Sequence, residues 1–388
     1  MAAPRPAALT ALLVSVALAA GCASSDTTPS QRPATLQSTG SAAAGQRIEP
    51  GPDGWTTAPP WTLGLRPGRL RGLAREAREM DSSCYAVVRD GKLARDWSWG
   101  TPRDTPREVF SITKSVASAL VGIAVRDGDL RLGDKVSQYV PRWRGTPSEG
   151  VTVRNLLAND SGRYWTPASD YGDLVGAEDR TAYAVGLDQQ HPPGTAWAYN
   201  NAAIQVLEPV LEEATGVPVA DFARDRLFEP LGMSNSRLVT DTAGSTMVFF
   251  GLQSTCLDLA RFGLLYLEDG TVDGTRLLSD SYVRRSVGRS STVHNAAYGL
   301  LWWLNRPGPL RGATDEVDVR GQPVDPVTGQ LAPAAPPSVY AALGLGGQTL
   351  LVDPTTETVV VRLGQPAQRG EPDYGFSDAA NVVTTALR

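Results

Sequence analysis

The sequence predicts an α+β fold: an antiparallel sheet built from both ends of the chain, flanked by helices, with a mainly helical second lobe. Three observations carry this prediction. Residues 84–99 contain two strand-like runs around Asp90-Gly91, a pattern typical of a hairpin. Residues 339–363 contain three apolar runs rich in β-branched residues. The long section between them is mainly helical, so it should form a lobe of its own.

Local signals set the boundaries of these elements. A helix begins near Ser111 and runs towards Arg126, where Asp127-Gly128 closes it. Glycine or proline follows each helical run of the middle section. A ligand would bind in the cleft between the sheet and the lobe. The remaining predicted helices are 204–213, 219–227, 257–266 and 377–387, and the C-terminal strands are 339–343, 348–353 and 358–363.

The N-terminal segment is predicted to be a secretory signal that lies outside the fold. Arg5 supplies positive charge before a short apolar stretch, residues 9–20, which is too short for a membrane-spanning helix. The sequence Leu18-Ala19-Ala20-Gly21-Cys22 resembles a bacterial lipobox, in which the cysteine is lipidated. Residues 1–22 are therefore expected to be a lipoprotein signal peptide with Cys22 as the lipidated residue. The alternative is an ordinary signal peptide with a chance cysteine.

Residues 23–50 are rich in Ser, Thr, Ala, Gln, Gly and Pro and show no hydrophobic periodicity. Such a segment cannot bury enough apolar area to offset its ordering entropy. It is predicted to be a flexible linker that tethers one domain, residues 51–388, to the bacterial cell membrane. The predicted location is therefore extracytoplasmic. Nothing in the sequence indicates an oligomeric state.

The composition argues against several classes of function. The formal net charge of −5 and the lack of a basic run give no reason to expect nucleic-acid binding. His191 and His294 have no ligand-like neighbours, and the cysteines form no C-x-x-C pair, so no metal or other cofactor is expected. Cys84 lies in a predicted strand and Cys256 near the start of a helix. Outside the cytoplasm these two cysteines could form a disulfide. Because neither placement indicates a partner, two buried free thiols are expected instead.

Ser111 and Lys114 form an S-x-x-K pattern at a helix start, where residues three apart lie on the same face. A serine hydroxyl is a weak nucleophile until a base removes its proton, and an amine shielded from water can be neutral near pH 7. Arginine cannot give up its proton in a protein, and all but three of the 36 basic residues here are arginine. The use of lysine at this position therefore favours a role as a base over a role as a charged residue on a solvent-exposed helix face.

Two further segments carry groups that suit a reactive site. Residues 193–201 end in Tyr199-Asn200-Asn201, where a phenol can transfer a proton and an amide can hold a substrate carbonyl; an asparagine helix cap alone would also explain this pattern. Residues 342–348 place Gly344 and Leu345 between two strands, together with two more glycines. Glycine lets a backbone approach a ligand closely, although a plain hairpin turn is the alternative.

In this order the three segments resemble the S-x-x-K, Y-x-N and K-T-G-type motifs of the penicillin-recognising serine hydrolases. The resemblance is closest to the class C β-lactamase-like branch, which also holds esterases and 6-aminohexanoate-dimer hydrolases, and it covers about residues 75–388. It implies the β-lactamase/transpeptidase-like form of the α+β fold. It also implies Ser111 as nucleophile, Lys114 as base and Tyr199 as proton relay.

The same resemblance implies how a substrate would be held. Asn201 would contact a substrate amide, and the backbone N–H groups of Ser111 and Leu345, the latter next to Gly344, would form the oxyanion hole. The chain departs from the family at the third motif, where Ala342 stands in place of the Lys or His of lactamases and D,D-peptidases. This departure puts carboxylate-bearing β-lactams in doubt as substrates.

The resemblance predicts a secreted, membrane-anchored enzyme that forms an acyl-enzyme with a small ester, amide or peptide substrate. Two alternatives stay open: a β-lactamase or D,D-peptidase of the same fold, and an acylated receptor lipoprotein without turnover. A Ser-His-Asp hydrolase is disfavoured because neither histidine has a recognisable context and no G-x-S-x-G motif occurs. The Pro- and Gly-rich loop 305–338 directly precedes the third motif and is expected to shape the pocket.

Overall fold

The structure is a computed structural model that describes residues 54–367 and 373–388. The predicted signal peptide, the linker and Cys22 lie outside these residues, so their assignments stay predictions. No helix in the described chain is both long and apolar enough to cross a membrane.

The predicted elements are present, with some differences at their ends. The helix predicted at 204–213 is broken near Val206, and the last helix continues as a π-helical turn, Val382–Ala386. In the described chain the strands are β1 (Ser82–Arg89), β2 (Lys92–Ser98), β3 (Arg107–Glu108), β4 (Arg237–Leu238), β5 (Leu252–Ser254), β6 (Thr271–Val272), β7 (Thr275–Arg276), β8 (Trp303–Leu304), β9 (Gly308–Leu310), β10 (Val327–Gly329), β11 (Tyr340–Gly344), β12 (Gln348–Asp353) and β13 (Thr358–Gly364). The α-helices are α1 (Pro67–Glu79), α2 (Ile112–Asp127), α3 (Val153–Ala158), α4 (Leu174–Gly176), α5 (Arg180–Gly186), α6 (Asn201–Gln205), α7 (Leu207–Thr215), α8 (Val219–Ala223), α9 (Glu229–Leu231), α10 (Cys256–Leu267), α11 (Asp280–Val287) and α12 (Phe376–Asn381).

The main sheet joins the two ends of the described chain, as the sequence predicts. Its six strands run in the order β2-β1-β13-β12-β11-β8, and every pairing is antiparallel. The hairpin β1–β2 turns at Asp90 and Gly91, which have φ values of 50° and 69°. Positive φ at both residues suits a two-residue type I′ turn, for which Asp-Gly is a preferred sequence.

Both faces of the central strands are covered, so alternate residues enter two different cores. Ala86 and Val88 of β1 join the larger core, which includes α2, α10 and the helical lobe. Tyr85 and Val87 point to the other face and pack in a second core with α1 and α12. Burial on both faces explains why β1, β12 and β13 read as continuous apolar runs in the sequence.

Helix α2 lies between the sheet and the helical lobe, and this placement positions the first motif. Every residue of 112–124 is buried, so the helix has no solvated face over most of its length. It contacts β11 and β12 on one side and α7 on the other. The start of α2, with Ser111 directly before it, therefore lies where sheet and lobe meet.

The expectation of two buried thiols is wrong, because Cys84 and Cys256 form a disulfide. Their Cα atoms are 6.2 Å apart although 172 residues separate them in the chain. Cys84 lies on β1 and Cys256 is the first residue of α10, and the two elements pack directly against each other. Local patterns predict the element on which each cysteine lies, but only the packing of α10 against β1 makes the two cysteines neighbours.

The 305–338 loop packs against the second-motif segment. Within it β9 and β10 form a short antiparallel pair. The Tyr171 hydroxyl donates to the Ala313 carbonyl at 2.8 Å. Gly321, with φ of 77°, lies so close to the loop before Tyr199 that a Cβ would come within 2.7 Å of the Ala196 side chain. The loop therefore covers the residues that lead into the Y-x-N motif.

Candidate active site

Ser111 follows a strained turn that is held from both sides. Phe110 has φ of 49°, a left-handed conformation that bulky residues rarely adopt. The Glu108 carboxylate accepts the Phe110 N–H at 2.8 Å and the Gly251 N–H at 3.1 Å. It thereby ties the turn to the chain beside Phe249, whose carbonyl contacts Lys114. Such strain persists only where surrounding contacts impose it, and it is common at functional sites.

Lys114 lies one helical turn after Ser111, on the same face of α2. Its Nζ is 2.7 Å from Ser111 Oγ and donates to the Phe249 carbonyl at 2.8 Å. The side chain is buried, with 1% of its surface exposed. Burial lowers the pKa of the amine to about 7, and the nearby Asp170 carboxylate opposes this by raising it. Near neutral pH a neutral amine is therefore available to accept the serine proton.

Tyr199 contacts both of these residues. Its hydroxyl shares a hydrogen bond with the Ser111 side chain, and the Lys114 amine lies 4.8 Å from the centre of its ring. The ring stacks on Trp303 at 5.5 Å and meets Tyr298 edge-on at 6.0 Å. Burial raises the pKa of the phenol above its ordinary value, so Tyr199 keeps its proton at neutral pH. The structure thus brings together Ser111, Lys114 and Tyr199.

Asn201 is buried near this group, but its amide is already engaged. Its Nδ2 donates to Asp170 at 2.7 Å, and its own backbone N–H donates to the same carboxylate oxygen at 3.0 Å. The Oδ1 atom is buried without a hydrogen-bond partner. The neighbouring Asn200 serves as the helix cap, because its side chain accepts the Ala203 N–H at 2.7 Å. The helix cap is therefore Asn200, and the predicted site residue is its neighbour, Asn201.

The third motif approaches the nucleophile through Gly344, the last residue of β11. A Cβ at Gly344 would lie 2.3 Å from the Val109 carbonyl oxygen, so only glycine allows this approach two residues before Ser111. Leu345 follows at the turn, with 56% of its side chain exposed. The role of its N–H in an oxyanion hole stays a prediction.

Two buried side chains brace this turn. Arg362 donates to the Gly346 carbonyl at 2.6 Å, and Gln348 Nε2 donates to the Leu345 carbonyl at 3.1 Å. Arg362 also donates to Ser82 Oγ at 2.7 Å, which links the turn to β1. Hydrogen bonds to its carbonyl groups therefore hold the turn of the β11–β12 hairpin.

Several residues of this site escape sequence reasoning. Asp170 contacts Asn201 from 31 residues away, and no motif indicates it. The Glu108 carboxylate accepts backbone N–H groups and Phe249 offers its carbonyl, and a pattern of side chains reveals neither contact. Trp303 stacks on Tyr199, and none of the three motifs includes it.

Comparison with known proteins is consistent with this geometry. The Beta-lactamase family model matches residues 68–375. The 6-aminohexanoate-dimer hydrolase of Paenarthrobacter ureafaciens is 24% identical over 327 residues, which cover 76% of this chain and 75% of that protein. A D-aminopeptidase of Brucella anthropi is 29% identical over 174 residues, which cover 41% of this chain and only 33% of that protein.

Among solved structures, a family VIII carboxylesterase superimposes with a TM-score of 0.61 at 15% identity, covering 85% of this chain and 97% of that one. This likeness shows the shared α+β fold. Together with the family match over most of the chain, it confirms the fold predicted from the three motifs. The chain belongs to the beta-lactamase family and is a serine hydrolase of that fold.

Proposed function

We propose that this chain is an extracytoplasmic, membrane-anchored enzyme that hydrolyses ester or amide bonds through an acyl-enzyme on Ser111. The observation that carries the proposal is the buried Lys114 amine 2.7 Å from Ser111 Oγ, with Tyr199 on the same hydroxyl. A nucleophile, a base with a pKa near 7 and a proton-bearing phenol are the groups that acyl transfer requires.

In the acylation step, Lys114 takes the Ser111 proton and Oγ forms a bond to the substrate carbonyl carbon. Negative charge develops on the carbonyl oxygen, where the N–H groups of Ser111 and Leu345 would stabilise it. Tyr199 gives its proton to the leaving oxygen or nitrogen as that bond breaks, and the proton on Lys114 restores the phenol. Water then attacks the carbonyl carbon of the ester on Ser111 and loses a proton to Lys114. As the bond to Oγ breaks, the acid leaves and the proton on Lys114 returns to Ser111, which restores the starting state.

Small esters and simple amides are the proposed substrates. The relatives are named for such bonds, an amide in the dimer hydrolase and an ester in the carboxylesterase. Ala342 is buried among apolar side chains and offers no cation to a β-lactam carboxylate. Three arginines of the 305–338 loop could supply that cation. Arg306 donates to the Gly288 carbonyl and Arg311 to the Glu316 carbonyl, whereas Arg320 is exposed.

The first prediction concerns the nucleophile. Ser111→Ala should abolish both turnover and labelling by a fluorophosphonate, because no hydroxyl is left beside Lys114. Ser115→Ala is the matched control: it removes a buried hydroxyl one turn further along α2, bonded to the Leu301 carbonyl, and should keep the label. Intact mass spectrometry measures the adduct. An alanine variant at 111 that labels as fast as the wild type would contradict the assignment.

The second prediction concerns the base. Since only the neutral amine can take a proton, the acylation rate should rise with pH and reach half its plateau near the Lys114 pKa of about 7. Lys114→Arg should lower kcat/KM by about 10²- to 10⁴-fold, because arginine keeps its proton. Lys135→Arg, at a half-exposed lysine paired with Glu149, should change neither the rate nor its pH profile. Wild-type-like activity in Lys114→Arg would contradict the role of Lys114 as the base and would mean that only its positive charge is needed.

The third prediction is a preference for esters over β-lactams. A missing charge-assisted hydrogen bond to the β-lactam carboxylate corresponds to about 1.5–3 kcal/mol, or roughly 10- to 150-fold. The kcat/KM for a p-nitrophenyl ester should therefore exceed that for nitrocefin. Steady-state turnover after any burst would also separate an enzyme from an acylated receptor. If the ratio of kcat/KM for the ester to kcat/KM for nitrocefin is well below one, the prediction is wrong and the enzyme is a β-lactamase.

The fourth prediction concerns anchoring. Expressed in a bacterium with a lipoprotein pathway, the wild type should partition with membranes, because the predicted lipid on Cys22 holds it there. Cys22→Ala should move the protein to the soluble fraction, whereas Ser24→Ala should not. Fractionation followed by immunoblotting measures the distribution. A wild type found entirely in the soluble fraction contradicts the anchor.

A further inference from the structure

We propose that Asp170 is a positioning residue of the Ser111/Lys114 site: its buried carboxylate fixes the orientation of Asn201 and supplies the negative charge that faces Lys114. This inference rests on the proposed role of Ser111 as the acylated nucleophile. It assigns a function to a residue that no sequence motif indicates.

The Asp170 carboxylate accepts three hydrogen bonds from the first turn of α6. One carboxylate oxygen accepts both the Asn201 N–H at 3.0 Å and the Asn201 Nδ2 at 2.7 Å. The other oxygen accepts the Ala202 N–H at 3.0 Å. Because α6 begins two residues after Tyr199, these bonds also hold the segment that carries the phenol.

Helix capping explains only two of the three hydrogen bonds that this carboxylate accepts, those from the Asn201 and Ala202 N–H groups. Asn200 already caps α6 through its bond from the Ala203 N–H, so the helix has its conventional cap without Asp170. A buried charge is unfavourable unless it is paired and hydrogen-bonded, and Asp170 has only 1% of its surface exposed. The charge of Asp170 also acts on a second buried ionisable group, Lys114, so a role at the reactive site accounts for this carboxylate better than capping alone.

The orientation of the Asn201 amide follows from this carboxylate. An amide has one donor side and one acceptor side, and the carboxylate accepts only from the donor side. Asp170 therefore holds Nδ2 and turns Oδ1 away from itself, where Oδ1 is buried without a partner. Asn201 thus presents an acceptor to its surroundings, whereas a side chain that binds a substrate carbonyl would have to present its donor.

The electrostatic effect of Asp170 on Lys114 has a definite sign. Burial lowers the pKa of the amine, and the carboxylate raises it by stabilising the ammonium form. Burial in turn raises the pKa of Asp170 to about 6, with the hydrogen bonds from α6 and the charge of Lys114 acting in the opposite direction. The charge of Asp170 therefore limits how far burial can lower the pKa of Lys114.

Other ionisable groups around the pair do not titrate in the same range. The phenols that face it are Tyr171, Tyr183, Tyr199 and, beyond Tyr199, Tyr298; burial raises the pKa of each above its ordinary value. Between about pH 5 and pH 9 these four side chains stay neutral, since ordinary tyrosine titrates near pH 10. The pH dependence of this site is therefore set by Lys114 and Asp170.

The test is the second-order rate of Ser111 labelling by a fluorophosphonate between about pH 5 and pH 9, in Asp170→Asn and in Asp173→Asn. Labelling needs no known substrate, and it measures the reactivity of Ser111 in the folded protein alone. Asp170→Asn should move the rising limb of the profile to lower pH by about one unit, because Lys114 loses its stabilising anion. Its plateau should fall about 10- to 100-fold as Asn201 and Tyr199 lose their anchor. Asp173→Asn removes an exposed carboxylate from the same segment and should leave both quantities unchanged.

A second variant separates the two effects and covers the case in which Asp170→Asn does not fold. Asn201→Ala removes the positioned amide, so the plateau of the labelling rate should fall. It keeps the Asp170 carboxylate, so the rising limb should stay at the wild-type pH. In the double variant the fold-loss of the plateau should be smaller than the product of the losses in the two single variants, since both substitutions remove the same contact. An unshifted limb in Asp170→Asn, or an unchanged plateau in Asn201→Ala, would overturn the proposal. A wild type that is not labelled at Ser111 would instead refute the proposed function.

Discussion

The burial of the Lys114 amine against Ser111 is the constraint on which the rest of the site depends. An amine in water keeps its proton far above neutral pH, so it can act as a base near pH 7 only where its charged form is destabilised. Helix α2 provides this environment because it is enclosed between the sheet and the helical lobe. The Phe249 carbonyl, the Tyr199 ring and the Asp170 carboxylate complete the enclosure.

The site contains several locally unfavourable features, and each is compensated by specific contacts. The left-handed Phe110 is held by the Glu108 carboxylate, which is itself satisfied by backbone N–H groups and by Gln253. The buried Asp170 accepts three hydrogen bonds from one helix turn. Buried polar groups are tolerable when their hydrogen bonds are made, and such exceptions concentrate where chemistry occurs.

The sheet contributes to the site by joining distant parts of the chain. Pairing of β1 with β13 brings the C-terminal hairpin beside the N-terminal motif, so that Gly344 approaches the turn before Ser111. Arg362 and Gln348 fix that hairpin from within the sheet. The Cys84–Cys256 disulfide joins the same strand β1 to α10, the helix that covers this face. In this protein a single sheet therefore forms both part of the core and one side of the site.

The sequence by itself determined the fold class, the D-G hairpin, the α2 boundaries and the three motifs, because each depends on local signals: periodicity, turn residues and helical spacing. Ser111 and Lys114 are three residues apart on one helix, so their proximity needs no tertiary information. Only the tertiary structure decided that Cys84 meets Cys256 and that Asp170 holds Asn201. These pairs lie 172 and 31 residues apart. No local pattern couples such residues. They are coupled by the packing of α10 on the sheet and of the π-helical turn Ser169–Asp173 against α6, because burial selects which distant groups must satisfy one another.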